Sequence, residues 1–511
     1  MGKTIKDQKK AGIIISYLNL VLSTCTSLFL TPALISALTD QSYSVYKVMH
    51  SLAGPLIMFN LGVSAVVTRS IAKYRAVEDG NKKEKQNTLA IALIVSCIMS
   101  GLVVLLGMGL YAMIPKMYEK TFSLEQIDLA KKIFLVLIST TAVQIVAETY
   151  KGCVSGHEKF VVLNGTAFLQ HIIKYVLIIV FLKAGFGAFE VTLVELIIAL
   201  LAFIIYLLYG LIKLKEYPKL HYLSKRELWE MASFSLAMLL QVMINQVNNS
   251  MDNVILGAMV DDDLIITMYS SALTIYTMYN ALVSAMGTVF LPKATKLLAK
   301  EATGEELTDF VIKPGRIQTM LSVAILFGFA LCGKNFIFVW IGEKYIDAYY
   351  VALITMVPVT IPLIQNVCLS ILDASLKRLY RSIVLGIMAA VNLIISILLV
   401  MVIGFWGAAI GTAISLIVGH GILMNVYYKR KINLNVCRMF KELFRGTLLC
   451  GLLATIICLP VALLLENTVL LLAVKIAVFL IVYVALLCLI GFNAEEKEKV
   501  KGLFKRLKRK N

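Results

Sequence analysis

The chain has 511 residues, of which 59% are hydrophobic and 16% are charged, whereas soluble globular domains carry roughly 25% charged residues. Apolar runs of about 20 residues recur along almost the whole length, and a helix needs about that length to cross a bilayer. The intervals between these runs are too short for a soluble catalytic domain. The composition therefore excludes a soluble enzyme and indicates an integral membrane protein.

The formal net charge of +18 reflects orientation in a membrane rather than binding to nucleic acid. The hydropathy pattern predicts an all-α, polytopic fold with about 14 transmembrane helices. If the amino terminus is inside, most of the 49 Lys and Arg residues fall in cytoplasmic segments, as the positive-inside rule requires. We therefore expect a multi-pass protein of the cytoplasmic membrane with both termini in the cytoplasm. The nine cysteines have no metal-binding or redox spacing, and we expect neither a metal nor another cofactor.

Charged side chains lie in or at the ends of four of the first six predicted spans. Lys174 lies in the middle of span five, where a lysine costs roughly 2.5 to 3.5 kcal/mol on insertion scales, so we expect it to face protein or water and to have a function. The alternative is a snorkelling or structurally paired lysine. Four further charges lie in or at the ends of spans two, four and six: Lys47, Arg69, Lys151 and Glu195.

Span seven carries a stripe of polar side chains between Phe234 and Asp252. Their spacing of three and four residues places them on one face of a helix. Polar groups in hydrocarbon are costly unless they meet a partner or water, so the stripe favours an internal polar chamber. Alternatively, these amides only join neighbouring helices. The stripe consists of Gln241, Asn245, Asn248, Asn249 and Asp252.

The sequence repeats itself after the basic linker that follows span six. The segment 58–68 resembles 278–288, with Met58 matching Met278 at an offset of 220 residues, and 185–188 resembles 404–408 with one insertion. An even number of spans separates the copies, so we expect two six-helix lobes that are parallel repeats, with the binding site between them. The predicted domains are 1–216 (spans 1–6), 217–432 (spans 7–12) and 433–511, which contains two further spans and a basic amphipathic tail suited to anionic lipids.

Four stretches are similar to the polysaccharide-transporter branch of the multidrug, oligosaccharidyl-lipid and polysaccharide exporter superfamily. They are Gly62, Ser155–Phe160, Trp340–Tyr345 and Gly404–Ala409. The resemblance covers nearly the whole chain and implies two six-helix lobes, with two further carboxy-terminal helices as in many members. It also implies a flippase that moves undecaprenyl pyrophosphate-linked oligosaccharides between leaflets by alternating access, for the assembly of surface polysaccharide.

Residue chemistry agrees with such a substrate. A pyrophosphate needs positive charge, which Lys174, Lys47, Arg69 and Lys151 can supply, whereas Gln241, Asn245 and Asn249 can bond sugar hydroxyls. A coupling proton or sodium ion would need a carboxylate, and the candidates are Glu195, Asp252 and Asp373. Candidate partners are the lipid-linked oligosaccharide, anionic lipids and a polysaccharide polymerase.

Three alternative functions remain open from the sequence. The first is a multidrug or cation exporter of the same superfamily, although such a transporter would need carboxylates where this chain has a deep lysine. The second is a lipid II flippase, whose substrate is chemically close. The third is a membrane-embedded polymerase or glycosyl transferase, for which the sequence offers no paired acids, phosphate-binding loop or large outside loop. A purely structural scaffold would leave the polar stripe without a purpose.

Overall fold

The computed structural model describes residues 2–56, 61–76, 82–222, 251–284, 301–374, 378–493 and 495–498, with isolated positions 229, 294, 297 and 298. Every regular element in these ranges is helical. Ten of the described helices are long and apolar enough to cross a membrane, and shorter apolar helices lie at Leu22–Ala37 and Val63–Ala72. The predicted all-α, polytopic membrane fold is confirmed.

The chain divides into two compact units, Met1–Ser270 with Val400–Ala408, and Ser271–Leu399 with Ala409–Asn511. The domain boundaries expected after residues 216 and 432 stay a prediction. In the first unit, α5 packs against α3, α4 and α7, and α1 packs against α6. The helices of this unit are α1 (Gly2–Ala37), α2 (Asp40–Ala53), α3 (Leu61–Ala76), α4 (Lys82–Tyr118), α5 (Leu124–Gly156), α6 (Phe160–Lys183) and α7 (Ala188–Leu208), which continues as a π-helix over Tyr209–Lys213.

Short turns with capping residues separate these long helices. The Thr39 hydroxyl accepts a hydrogen bond from the Ser42 backbone N–H at the start of α2. At the start of α5, Ser123 and Gln126 each accept from the other's backbone N–H, which satisfies donors that a helix start leaves free. Gly185, in the turn between α6 and α7, has φ +83°, a conformation that favours glycine. The turn at Gly185 folds α6 and α7 into a helical hairpin.

Small residues allow α3 and α5 to approach closely. A Cβ atom on Gly152 would lie 2.7 Å from the backbone oxygen of Ser64, so only glycine fits there. One helix away, the buried hydroxyls of Ser96 and Thr149 join α4 to α5 at 2.7 Å. Small residues and hydroxyl pairs are the usual means of helix association in a membrane, where the hydrophobic effect does not favour helix contacts.

In the second unit, α9 packs against α10, α15, α16 and α17. Its helices are α8 (Asp263–Ser284, whose first residues belong to the first unit), α9 (Gly304–Ile341), α10 (Ala348–Ile364), α11 (Asn366–Ala374), α12 (Arg378–Ile403), α13 (Trp406–Leu416), α14 (Met424–Lys431), α15 (Val436–Phe444), α16 (Thr447–Leu464) and α17 (Val469–Leu486).

Arg316 of α9 joins three segments of this second unit. Its side chain is 2% exposed, and its guanidinium donates to both carboxylate oxygens of Glu496 at 2.7 and 3.0 Å. It also donates to the backbone oxygens of Glu442 at 2.6 Å and Gly491 at 2.9 Å. A guanidinium with this many acceptors is fully satisfied although it is buried. It therefore fixes the end of α15 and the chain after α17 to α9.

Candidate functional site

Three helices of the first unit bring ionisable side chains together inside the apolar part of the bundle. The Lys174 ammonium on α6 donates to Oε1 of Glu195 on α7 at 2.7 Å. The other carboxylate oxygen of Glu195, Oε2, lies 3.9 Å from Nδ1 of His50 on α2. Lys174 and Glu195 were predicted separately as a substrate-binding residue and a coupling-ion candidate, and the structure places them in one ion pair.

The helix lengths explain why these side chains meet. His50 lies ten residues after the start of α2, Glu195 seven after the start of α7, and Lys174 nine before the end of α6. At a rise of 1.5 Å per residue these positions are about 10 to 15 Å from the start of α2, the start of α7 and the end of α6. Lys174 and Glu195 therefore lie inside the apolar helices α6 and α7, at a depth where charged groups need partners.

Lys47 adds a second ammonium to this site. It lies one helical turn before His50 on α2, its Nζ is 5.4 Å from the centre of the Tyr43 ring, and it interacts electrostatically with Glu195 and Lys174. The Tyr46 ring contacts the His50 ring at a centroid distance of 4.2 Å, and the Tyr46 hydroxyl interacts with the Glu195 carboxylate. Among the described residues, the site thus contains two ammonium groups, one imidazole and one carboxylate.

The two members of the ion pair differ in exposure. The Lys174 side chain is 34% exposed, whereas the Glu195 side chain is 16% exposed. The ammonium is therefore the more accessible half of the ion pair. With two lysines and a single carboxylate in the described part of the chain, the site has an excess of positive charge and suits an anion better than a cation.

Two other predicted basic residues lie on separate helices. Lys151 on α5 pairs with Glu148 at 2.7 Å, one turn away on the same helix. Arg69 on α3 is exposed. The structure shows no contact between either residue and the Lys174 site within the described part of the chain, so their proposed role with a diphosphate stays a prediction.

The predicted carboxylates other than Glu195 have different surroundings. Asp252 is 3% exposed and accepts a hydrogen bond from the Tyr269 hydroxyl at 2.7 Å. Asp373 belongs to helix α11, but its side chain lies outside the described residues. The amides Gln241, Asn245 and Asn249 also lie outside the described residues, so the chamber that they predict is untested.

A polar network missed by the sequence analysis fixes the start of α8 to the first unit. The Asp263 carboxylate accepts hydrogen bonds from Ser44 on α2 and, at 2.9 Å, from the Gln126 side chain on α5. Nearby, the Asn253 amide donates to Ser51 at 3.1 Å and accepts from Ser270 at 3.1 Å. Because buried polar groups require partners, this network anchors residues 252–270 against α2.

His50 and Tyr46 were also missed. A sequence pattern could have indicated them. Lys47 and His50 are three residues apart and Tyr43 and Lys47 are four apart, which places these side chains near one face of α2. A stripe of aromatic and basic residues in an apolar helix predicts a functional face only when a carboxylate on another helix faces it. The sequence alone does not give that pairing.

The linker that follows α7 is folded against the first unit. The backbone N–H groups of His221 and Tyr222 both donate to Oδ1 of Asn87, which is buried in α4. The Lys219 backbone N–H donates to the Gln86 backbone oxygen at 3.2 Å. Residues 214–222, here called the linker strap, are therefore bonded along their length to the start of α4.

A three-residue cluster secures the near end of the linker strap. The Glu216 carboxylate lies 3.2 Å from Nε2 of His157 and 3.7 Å from Nζ of Lys85. Burial of the Glu216 carboxyl would raise its pKa, but the hydrogen bond to His157 and the charge of Lys85 outweigh burial and hold the pKa below its ordinary value. Glu216 is therefore ionised at neutral pH and holds the strap between α4 and α5.

The fold is shared with solved structures of membrane transporters. The lipid II flippase MurJ in its inward closed conformation is similar to this chain with a TM-score of 0.72 and 14% identity, covering 93% of this chain and 97% of that chain. An inward-facing multidrug resistance MATE family transporter of the MOP superfamily has a TM-score of 0.63 and 14% identity, covering 83% and 96%. These similarities establish the class, a polytopic helical protein with the MurJ and MATE fold.

A match to a protein-family profile identifies the family of this chain. The profile of the polysaccharide biosynthesis protein family matches residues 10–298, more than half of the chain. The chain belongs to this family, and the resemblance inferred from its motifs is confirmed. Among curated proteins, no relative matches the sequence.

Proposed function

We propose that this protein is a flippase that moves an undecaprenyl pyrophosphate-linked oligosaccharide across the cytoplasmic membrane by alternating access, and that it is not an enzyme. The family match and the transporter fold support the general class. Within that class, the observation that carries the proposal is the Lys174 site, where the Lys174 ammonium pairs with Glu195 and the Lys47 ammonium interacts electrostatically with both. A diphosphate is a small, doubly charged anion, and it suits that charge balance.

The same charge balance argues against a cation exporter. A cationic drug at this site would be repelled by Lys47 and Lys174, and the one carboxylate there, Glu195, is already paired at 2.7 Å. Charge repulsion inside a poorly hydrated bundle is stronger than in water. Lipid II carries the same diphosphate and remains the second candidate substrate, because the MurJ flippase has a similar fold.

The proposal includes an orientation and a source of energy. The excess of Lys and Arg in alternate loops supports cytoplasmic termini, and this would place the turns that precede α2 and α7 on the outer side. A proton or sodium gradient would drive transport, with Glu195, Asp252 or Asp373 as the coupling carboxylate. Anionic lipids and a polysaccharide polymerase are the proposed partners.

The test is a leaflet-translocation assay in reconstituted vesicles. The substrates are an undecaprenyl pyrophosphate linked to a fluorescent oligosaccharide and, in parallel, lipid II and a cationic dye. Lys174→Ala should reduce translocation of the lipid-linked oligosaccharide by about 10- to 100-fold, because one hydrogen bond to a charged group contributes about 1.5 to 3 kcal/mol. The matched control is Lys183→Ala, which removes an exposed lysine from the end of the same helix.

Wild-type protein should move the oligosaccharide faster than lipid II and should not move the dye. Equal translocation by Lys174→Ala and wild type would show that the lysine has no role in binding. Transport of the dye alone would refute the proposal and support a cation exporter.

A further inference from the structure

We propose that Glu195 is an internal counter-ion that occupies Lys174 in the empty protein and is exchanged for the substrate's diphosphate during transport. This inference rests on the proposed function and assigns Glu195 a role in selectivity and release. It differs from the coupling-ion role considered above, because the exchanged partner is the Lys174 ammonium rather than an ion from solution.

The empty protein requires a counter-ion at this depth. A lysine ammonium in the middle of an apolar helix is costly unless a carboxylate or another acceptor pairs with it. Glu195 meets that requirement with a hydrogen bond of 2.7 Å to the Lys174 ammonium. It also competes directly with any anionic ligand, because both need the same ammonium donors.

The surroundings of Glu195 provide a second position for its carboxylate. Its other oxygen, Oε2, lies 3.9 Å from Nδ1 of His50, which is about 1 Å too long for a hydrogen bond. The Tyr46 hydroxyl also interacts with the same carboxylate. A small side-chain rotation therefore moves Glu195 from Lys174 to His50 without leaving it unpaired.

Accessibility decides which partner the ligand takes. The Lys174 side chain is 34% exposed, whereas that of Glu195 is 16% exposed, so an incoming phosphate reaches the ammonium rather than the carboxylate. Lys47 interacts with both members of the pair and can supply a second positive charge to the ligand. The displaced carboxylate then stays near the bound diphosphate and repels it.

This exchange makes the site selective. A neutral ligand cannot replace a carboxylate at Lys174, and a diphosphate competes better than a monophosphate because it carries more negative charge and Coulomb energy scales with charge. The nearby carboxylate also weakens binding after displacement, which favours release. Glu195 is therefore expected to lower affinity and raise the rate of turnover.

The experiment compares binding with turnover in Glu195→Gln. Binding is measured in nanodiscs of neutral lipid with undecaprenyl diphosphate and undecaprenyl monophosphate as probes, and turnover in the translocation assay. Glu195→Gln should bind the diphosphate about tenfold more tightly, because an interaction with a charged group is lost only from the empty state, and its maximal rate should fall. Glu195→Asp should restore part of the rate. Glu190→Gln is the matched control, since Glu190 caps the start of α7.

A second variant gives an effect of opposite sign. His50→Gln removes the position to which Glu195 moves, so the diphosphate should bind several-fold more weakly while Lys174 and Glu195 stay intact. This comparison also covers the case in which Glu195→Gln fails to fold.

The outcomes separate this inference from the proposed function. If Lys174→Ala abolishes translocation but Glu195→Gln has wild-type affinity and rate, the exchange is wrong and the flippase proposal stands. Weaker diphosphate binding by Glu195→Gln would also overturn the exchange, since Glu195 would then hold Lys174 in place for the ligand. If Lys174→Ala translocates normally, the proposed site itself fails.

Discussion

Arg316→Met should destabilise the second unit more than any comparable change of a surface charge. The substitution keeps an unbranched apolar side chain of similar length, so cavity formation contributes little. It removes the donors to both Glu496 oxygens and to the backbone oxygens of Glu442 and Gly491. Breaking one member of a buried ion pair costs about 3 to 5 kcal/mol because the partner remains buried and uncompensated.

The assay is the fraction of monodisperse protein that remains in detergent after heating, compared with Lys313→Gln. Lys313 pairs with Glu495 at 3.3 Å, but both side chains are more than 60% exposed, and such a pair contributes about 0 to 1 kcal/mol. Glu496→Gln should reproduce most of the loss, and combining it with Arg316→Met should add little, because both changes break the same interaction. Equal thermal stability of Arg316→Met and Lys313→Gln would refute the reasoning.

Three further changes test other parts of the molecule. Gly152→Leu should prevent accumulation of folded protein, because its side chain collides with backbone at Ser64, whereas Gly101→Ala, with open space around it, should leave the yield unchanged or higher. Glu216→Gln should increase amide hydrogen exchange in the linker strap at pH 7. In wild type the same increase should appear only when the pH falls below about 4.5 and then below the lowered pKa of Glu216, because the carboxylate loses its stabilising charge there. Cys437, which is exposed, should react with a membrane-impermeant maleimide only from the cytoplasmic side.

Hydropathy was sufficient to predict the membrane class and the helical fold. A long apolar run predicts a helix because a segment inside a bilayer must satisfy its own backbone hydrogen bonds. The cost of burying a charge likewise identified Lys174 as a residue that needs a partner, and the structure supplies Glu195 at 2.7 Å. Deep charges are informative because their energetic cost depends little on the details of packing.

The sequence did not predict which polar residues pair with each other across different helices. His50 and Asp263 belong to polar networks that join helices distant in sequence, and helical periodicity gives only the face on which a residue lies. Which two faces meet depends on the packing of the whole bundle. The capping of α5 by Ser123 and Gln126, by contrast, is a local pattern that a sequence can show.

The linker strap has a practical consequence for engineering this protein. Because its backbone N–H groups at His221 and Tyr222 are bonded to Asn87, added residues before them would pull these groups out of register with α4. A fluorescent reporter or a protease site is therefore tolerated better just after Tyr222 than between Leu214 and Tyr222. If the chain is produced as two polypeptides, the first should end beyond Tyr222. It then retains the whole hydrogen-bonded segment.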